Sequence, residues 1–363
     1  MIELFSGTRC RFKRTMKPQT MSRTIFLPII IIVISTSSFK QISSDKDSIY
    51  IRYSTIIQEG ESYVLNNDLS KALKSYNKAL HLIEKPIASD CFTALQIAAH
   101  QEKNNKFRKF LKKAFAVGLA PKDLGKDSLL TSFIKGNQLE SIVQKTFDKY
   151  EKVYSQSVNQ FLIDTISKIS SYDNKWKVFY IDSLKAMSKK SNPEKAEFYD
   201  RKYDSIVTRL VEKKLFPLIS QYGYPGERQI GPGRVASPYE PYDYAFSNNA
   251  TLFILLHYYD GSKGCKYNTL LREEMKKGNL RPEHYARIID YQVKYGDNKC
   301  TVLPYNEWGE NNTLSVEKIN SRRAEIGLGK FELIEKKKER GMDICRETDK
   351  GNYRHIKLFY WCG

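Results

Sequence analysis

Residues 56–79, IIQEGESYVLNNDLSKALKSYNKA, set small and aromatic side chains at helical spacing on either side of Asn67–Asp68. Gly60 and Tyr63 fall on the first arm; Ala72, Tyr76 and Ala79 fall on the second. A small residue on one helix lets the bulky residue of its partner settle close to the backbone. Asn and Asp hydrogen-bond to their own backbone and tolerate turn conformations, so the pair at the centre reads as a helix stop and a new start. Pro86 lies just beyond the second arm. The spacing predicts an antiparallel helical hairpin, and with it a mainly α protein.

That pattern resembles a tetratricopeptide repeat, a helix–turn–helix unit of 34 residues. Ile56 departs from it, standing where the family opens its first helix with a large aromatic. A weaker copy follows in residues 91–121, with Ala98, Leu111 and Ala114 at corresponding places and Asn104–Asn105 as its turn. About three repeats are normally needed to close such a core. Helices in residues 129–150 are therefore expected to cap the array, making 41–150 one helical domain. The resemblance implies a concave surface for an unknown protein or peptide. The bland alternative is a packing spacer.

The chain has 363 residues, 41% apolar and 28% charged, with a formal net charge of +19. That composition is globular and allows two ordinary domains. Residues 1–40 contribute +6 of the charge, and the rest is dispersed. Short runs such as KKK at 336–338 do not interleave with aromatics, which argues against nucleic acid and for a solvated helical face. Met21 begins MSRTIFLPIIIIVISTSSFKQISS, with basic Arg23, an apolar run Ile25–Ile34 and a polar exit. This is the pattern of a secretory signal peptide at 21–40, with 1–20 as an upstream extension; the run is too short to span a bilayer. The expectation is export to the periplasm or envelope, with membrane contact only through an uncleaved N-terminal segment.

Export gives the cysteines meaning. Cys91 sits among apolar helix residues and reads as a buried thiol. Cys265, Cys300, Cys345 and Cys362 form a disulfide set; pairing Cys265 with Cys300 and Cys345 with Cys362 is one of three connectivities. No spacing suits zinc, and neither metal nor cofactor is expected.

Residues 151–340 read as a second helical domain, with Pro193 at a helix start and a long helix ending at Gly223. Residues 222–246, YGYPGERQIGPGRVASPYEPYDYAF, have no helical period. A loop of that length suits binding, and it carries Tyr222, Tyr224, Arg228, Arg234, Tyr239, Tyr242 and Tyr244. An ordered lid packed on its own domain is the alternative. In residues 247–261, SNNATLFILLHYYDG predicts a helix apolar on all sides, capped by Ser247 or Asn248, with His257 beside the core. In residues 281–296, RPEHYARIIDYQVKYG begins a helix at Pro282, with Glu283 near its dipole and Asp290 on its inward face. A carboxylate holding an imidazole would satisfy Asp290 and His257 together. The other histidines, His81, His100, His284 and His355, read as exposed. The tail, residues 341–363, predicts a β-hairpin around Lys350–Asn352, closed by Cys345 and Cys362. Its last strand, HIKLFYWC, must dock on the domain or on a partner.

The succession of EKKLFPLISQYGYPG, ATLFILLHYYD, KKGNLRPEHYARIIDYQVKYG and EKINSRRAEIGL resembles an uncharacterised domain of exported proteins from Bacteroidetes-type bacteria, over residues 155–330. Its recurring points fall on Gly223, Pro225, His257, Ala286 and Asp290. The segment after Tyr295–Gly296 departs from that pattern. The resemblance implies a helical fold and no mechanism. Two functions follow. One is an envelope binding protein that takes a protein, a peptide, a glycan or an anionic small molecule. The other is a hydrolase-like enzyme with His257 as base, Asp290 as its orienting acid, the 222–246 loop as lid and Arg228 or Arg234 gripping an anion. No nucleophile elbow, phosphate loop or HExxH supports the second.

Overall fold

The opening stretch folds as the predicted hairpin in the computed structural model. The structure describes residues 48–233, 249–261, 263–296, 302–307, 314–348, 356 and 358; between Met342 and Thr348 it describes the backbone alone. Helices α1 (Ile49–Leu65) and α2 (Leu69–Leu82) meet where Gly60 faces Tyr76. A Cβ added at Gly60 would lie 2.8 Å from the Tyr76 ring, so the aromatic occupies the space that the glycine leaves. Ala72, Tyr76 and Ala79 are buried, while Tyr63 is half-buried beneath Lys71. Asn67 takes the left-handed turn (φ 56), and Asp68 caps α2 by accepting from the Lys71 amide at 3.1 Å.

The same turn recurs twice. Between α3 (Ala88–His100) and α4 (Asn104–Ala116), Glu102 has φ 53. The turn therefore falls just before the expected Asn104–Asn105, and Asn104 already belongs to α4. After α5 (Pro121–Gly125), the pair α6 (Ser128–Gly136) and α7 (Glu140–Ser157) turns at Gln138, φ 52. Each turn closes with the same backbone bond: Asp68 N to Tyr63 O at 2.8 Å, Lys103 N to Ala98 O at 2.9 Å, Leu139 N to Ile134 O at 2.9 Å. The helices expected as caps thus form a third hairpin. Ring contacts of Phe107 with Phe133 (4.8 Å) and Phe115 with Phe147 (5.4 Å) join it to the second.

The second half is built from long rods. Helix α8 (Gln160–Lys177) continues through a π stretch, Val178–Lys185, into α9 (Ala186–Ser191). Asn192 then caps α10 (Pro193–Leu210), accepting from the Lys195 amide at 3.0 Å. A second π stretch, Val211–Leu215, leads into α11 (Phe216–Tyr222), which Gly223 ends at φ 87. Pro217 lacks the N–H that the preceding turn would use, and the widened turn upstream accommodates it. The remaining helices are α12 (Glu227–Ile230), α13 (Ala250–Tyr259), α14 (Asn268–Lys276), α15 (Pro282–Tyr295), α16 (Val316–Glu325) and α17 (Phe331–Thr348). The apolar α13 lies in the core of this half, as its composition predicts.

The chain is mainly α, with no strand among the described residues. It has two hydrophobic cores within one compact unit. Helix α1 belongs to both: Ile51 packs in the second core, and Tyr53, Ile56 and Ile57 pack in the first.

Two expectations change. Residues 341–348, read as the first arm of a β-hairpin, are the end of α17. The lysines around them favour a helix, whereas the expectation rested on the Lys350–Asn352 turn, which lies outside the described residues together with Cys362. Residues 227–230 form a helical turn inside a loop read as structureless. Ile356 packs against the first core and Leu358 is buried, so this part of the tail docks on its own chain. Cys91 is a buried free thiol. Cys265 is disulfide-bonded, and Cys300 lies outside the described residues. Among the described residues no helix is long and apolar enough to cross a membrane; the 1–40 segment lies outside them.

Candidate functional site

Glycine brings the site together. Gly226 lies so close to Asn279 that a Cβ there would sit 2.1 Å from the Asn279 carbonyl oxygen. The YGYPGE segment can therefore lie directly on the turn that follows α14. Glu274 holds that contact, accepting from the Tyr224 amide at 2.7 Å, Asn279 Nδ2 at 2.8 Å and Lys277 Nζ at 2.7 Å.

This docking delivers Glu227 to the start of α3. Helix α3 begins at Ala88 with Ile87 at its N-cap, so it has no capping side chain of its own. Glu227 Oε1 accepts from the Ala88 amide, and the Ser89 amide also bonds this carboxylate. The helix dipole favours a carboxylate there. A residue of the second half thus caps a helix of the first.

Beside this cap lies a small recess, with a cavity volume of about 30 Å³, between α1, α3 and the start of α15. Its polar wall is Tyr50, Tyr53, Glu61, Asp90, Arg281 and Glu283; Ile57, Ile87, Met275 and Leu280 supply apolar surface. Tyr53 donates to Asp90 Oδ2 at 2.6 Å and accepts from the Ile87 amide at 3.2 Å. Gln58 Nε2 donates to Glu283 at 3.0 Å, and Lys337 reaches in from α17 to Glu61. Arg281 sits among the acids with 3.9 Å to Glu227 and 3.7 Å to Glu283, and donates to Ser89 Oγ at 3.3 Å.

The electrostatics are unbalanced toward acid. Burial pushes Glu227 up to about 8, more than Arg281 and the Ala88 amide pull it down. Burial likewise takes Glu61 to about 7 against Lys337, and Asp90 to about 6 against Arg281 and Tyr53. Burial also works against charge on Arg281, but Glu283, Asp90 and Glu227 outweigh it and hold the guanidinium above its ordinary range. Burial works to raise Glu283, but Arg281, its own backbone amide, Lys337 and Arg287 together outweigh it and hold the carboxyl below its ordinary value. Glu227 Oε2 is buried without a hydrogen bond. Perturbed acids around a recess mark a functional candidate.

The residues expected from sequence are distributed differently. The His257–Asp290 pair does not form. His257 Nδ1 bonds Asp173 Oδ2 at 2.7 Å, and Tyr203 donates to the other oxygen of Asp173 at 2.8 Å. Asp290 instead accepts three backbone amides, from Tyr305 (2.6 Å), Asn306 (3.2 Å) and Glu307 (2.6 Å). Its acidity is needed by an irregular segment, not by an imidazole. His284, expected to be exposed, is buried, and its pKa falls well below the usual value through burial and the nearby Arg281 and Arg287.

Arg228 is committed to structure. Its Nε donates to the Lys85 carbonyl at 3.1 Å, its Nη1 donates to the Lys277 carbonyl at 2.8 Å, and its guanidinium covers the Tyr50 ring at 4.1 Å. Tyr224 is buried, and Tyr222 packs at 5.3 Å from Phe161. Arg234, Tyr239, Tyr242 and Tyr244 lie outside the described residues. Among the described residues no cluster suits a metal ion.

Glu61, Asp90, Glu227 and Arg281 were missed. Asp90 carries a readable signal: it is the one acid in ASDCFTALQIAAH, an otherwise uncharged helix. Compared with known protein families, curated proteins and solved structures, the chain finds no match.

Proposed function

We propose that this chain is a non-catalytic binding protein of the bacterial cell envelope, which holds a small cationic or zwitterionic ligand in the recess between its two halves. The observation that carries this reading is the acid-rich recess itself, in which Glu61, Asp90 and Glu283 face the Arg281 guanidinium and the Lys337 ammonium beside two tyrosine rings. An ammonium group would relieve the acid excess and lie against Tyr50 and Tyr53. Arg281 would orient a carboxylate on the same molecule. The anion-gripping role expected of Arg228 is replaced, because that side chain is already engaged.

The first half is best read as a tetratricopeptide-like scaffold. Support comes from the three matching turns and from the Gly60–Tyr76 packing. Its inner helices serve this chain rather than an outside peptide: residues 88–99 of α3 are all buried, and α1 carries Ser54, Gln58 and Glu61 contacts to the second half. The partner expected on an open repeat groove is thus replaced, in this reading, by the second half itself. Export rests on the Met21–Ser38 pattern, and N-terminal sequencing of the mature protein tests it.

Thermal unfolding with lysine or arginine as probes, against sodium chloride at equal ionic strength, tests the ligand reading. A ligand at about 100 times its dissociation constant adds about 2.7 kcal/mol of stability. That shift should shrink in Glu61→Gln and Asp90→Asn. Equal midpoints with probe and salt overturn the proposal.

A further inference from the structure

The arm formed by α8, its π stretch, α9 and the start of α10 has no part in the recess, yet it carries a surface that suits a partner. Tyr172, Val178, Phe179, Met187 and Phe198 are all exposed there, Met187 to 70%. The π stretch and α9 bury no residue, and they pack chiefly on α10. Residues 178–191 therefore extend a two-helix arm by about 20 Å.

The rings on this arm form a ladder. Trp176 lies 6.2 Å from Tyr172 and stacks on Tyr180 at 5.6 Å; Phe179 meets Tyr180 at 4.9 Å. Across the hairpin Tyr180 is 6.2 Å from Tyr199, which is 5.6 Å from Phe198. Lysines lie over the rings: Lys175 on Trp176 at 5.3 Å, Lys195 on Tyr199 at 5.9 Å, Lys202 on Phe198 at 5.3 Å.

Charge decides what covers such a surface. Four of the acids on residues 172–202 are engaged: Asp173 with His257, Asp182 with Lys177, Asp200 with Lys185 and Glu197 with Arg201. Among the described residues, Lys175, Lys189, Lys190, Lys195 and Lys202 have no acidic partner, and only Glu194 opposes them. Exposed rings flanked by lysine ammonium groups match a bilayer interface, where apolar bodies enter the acyl boundary and cations meet phosphates. A protein partner would need an acidic, concave counterpart. Anionic lipid headgroups supply the opposing charge without one.

We infer that the 172–202 arm docks on an anionic membrane surface. Membrane contact then extends beyond the N-terminal segment to which the sequence confined it. Hydrogen exchange on the full chain reads this locally, apart from any binding by residues 1–40. Vesicles of phosphatidylcholine mixed with phosphatidylglycerol should slow exchange across 175–202, and phosphatidylcholine alone should not. Lys189→Gln with Lys190→Gln should lower partitioning about tenfold or more, and Met187→Ser with Phe198→Ser should abolish the local protection. Unchanged exchange in the arm, or equal protection by both vesicles, overturns the inference. So does protection that grows with protein concentration without lipid, which assigns the surface to a second copy.

Discussion

Replacing Glu227 by glutamine isolates the cost of burying a carboxylate at the junction. Burial keeps the proton on Glu227 up to about pH 8 in the folded chain, whereas the ordinary value is 4.5. Between those values the folded chain holds a proton that the unfolded chain has released. Its stability contribution is therefore full below the lower value and is lost as pH rises through the upper one. The slope is at most about 1.4 kcal/mol per pH unit, so about 3 kcal/mol is lost between about pH 5 and pH 7.5. Glutamine keeps an acceptor oxygen for the Ala88 amide and has no proton to lose. Urea unfolding across that range should show Glu227→Gln matching the wild type near pH 5 and exceeding it by about 3 kcal/mol near pH 7.5. Glu227→Ala should be less stable than the wild type near pH 5, by about 1–3 kcal/mol, because the α3 amides lose their partner, and should close that gap as the pH rises to about 7.5. Parallel Glu and Gln curves, or a wild type that gains on the variant as pH rises, would refute the reasoning.

Two further predictions test the packing and the reassigned pair. Gly60→Val drives a side chain into the Tyr76 ring, 2.8 Å from the Cβ position, and should cost about 1–3 kcal/mol in urea unfolding; an unchanged midpoint would mean that the first hairpin packs elsewhere. His257→Ala and Asp290→Ala should behave independently, since His257 serves Asp173 while Asp290 serves three amides. The double variant should lose the sum of the single losses within about 0.5 kcal/mol, and coupling well above that would restore the pair.

The first hairpin was legible because its signal is local. Gly60, Ala72, Tyr76 and Ala79 meet through helix spacing, and Asn67 turns for reasons contained in its own side chain. The third hairpin was harder to see because Gln138 occupies the left-handed turn position, where neither glycine nor asparagine marks it. Its turn is defined by backbone bonds that any residue can make. The Asn192–Pro193 start and the Gly223 stop were legible for the same reason as the first turn.

The site demanded information that no window of sequence holds. Glu227 looks like loop chemistry until Gly226 lets the backbone approach Asn279 and the carboxylate reaches α3, 139 positions away in the chain. His257 shows the converse error. The histidine of this apolar helix does pair with a buried acid, though not with the expected Asp290. The nearest acid in sequence pattern was Asp290, but the partner lies on α8, where Asp173 looks like one more polar residue in YDNKWK. Periodicity says which groups need partners; only packing decides among the acids that could serve. A functional reading of this chain therefore belongs with the side chains that two cores force together, Arg281 and the carboxylates around it, rather than with the histidine that looked catalytic.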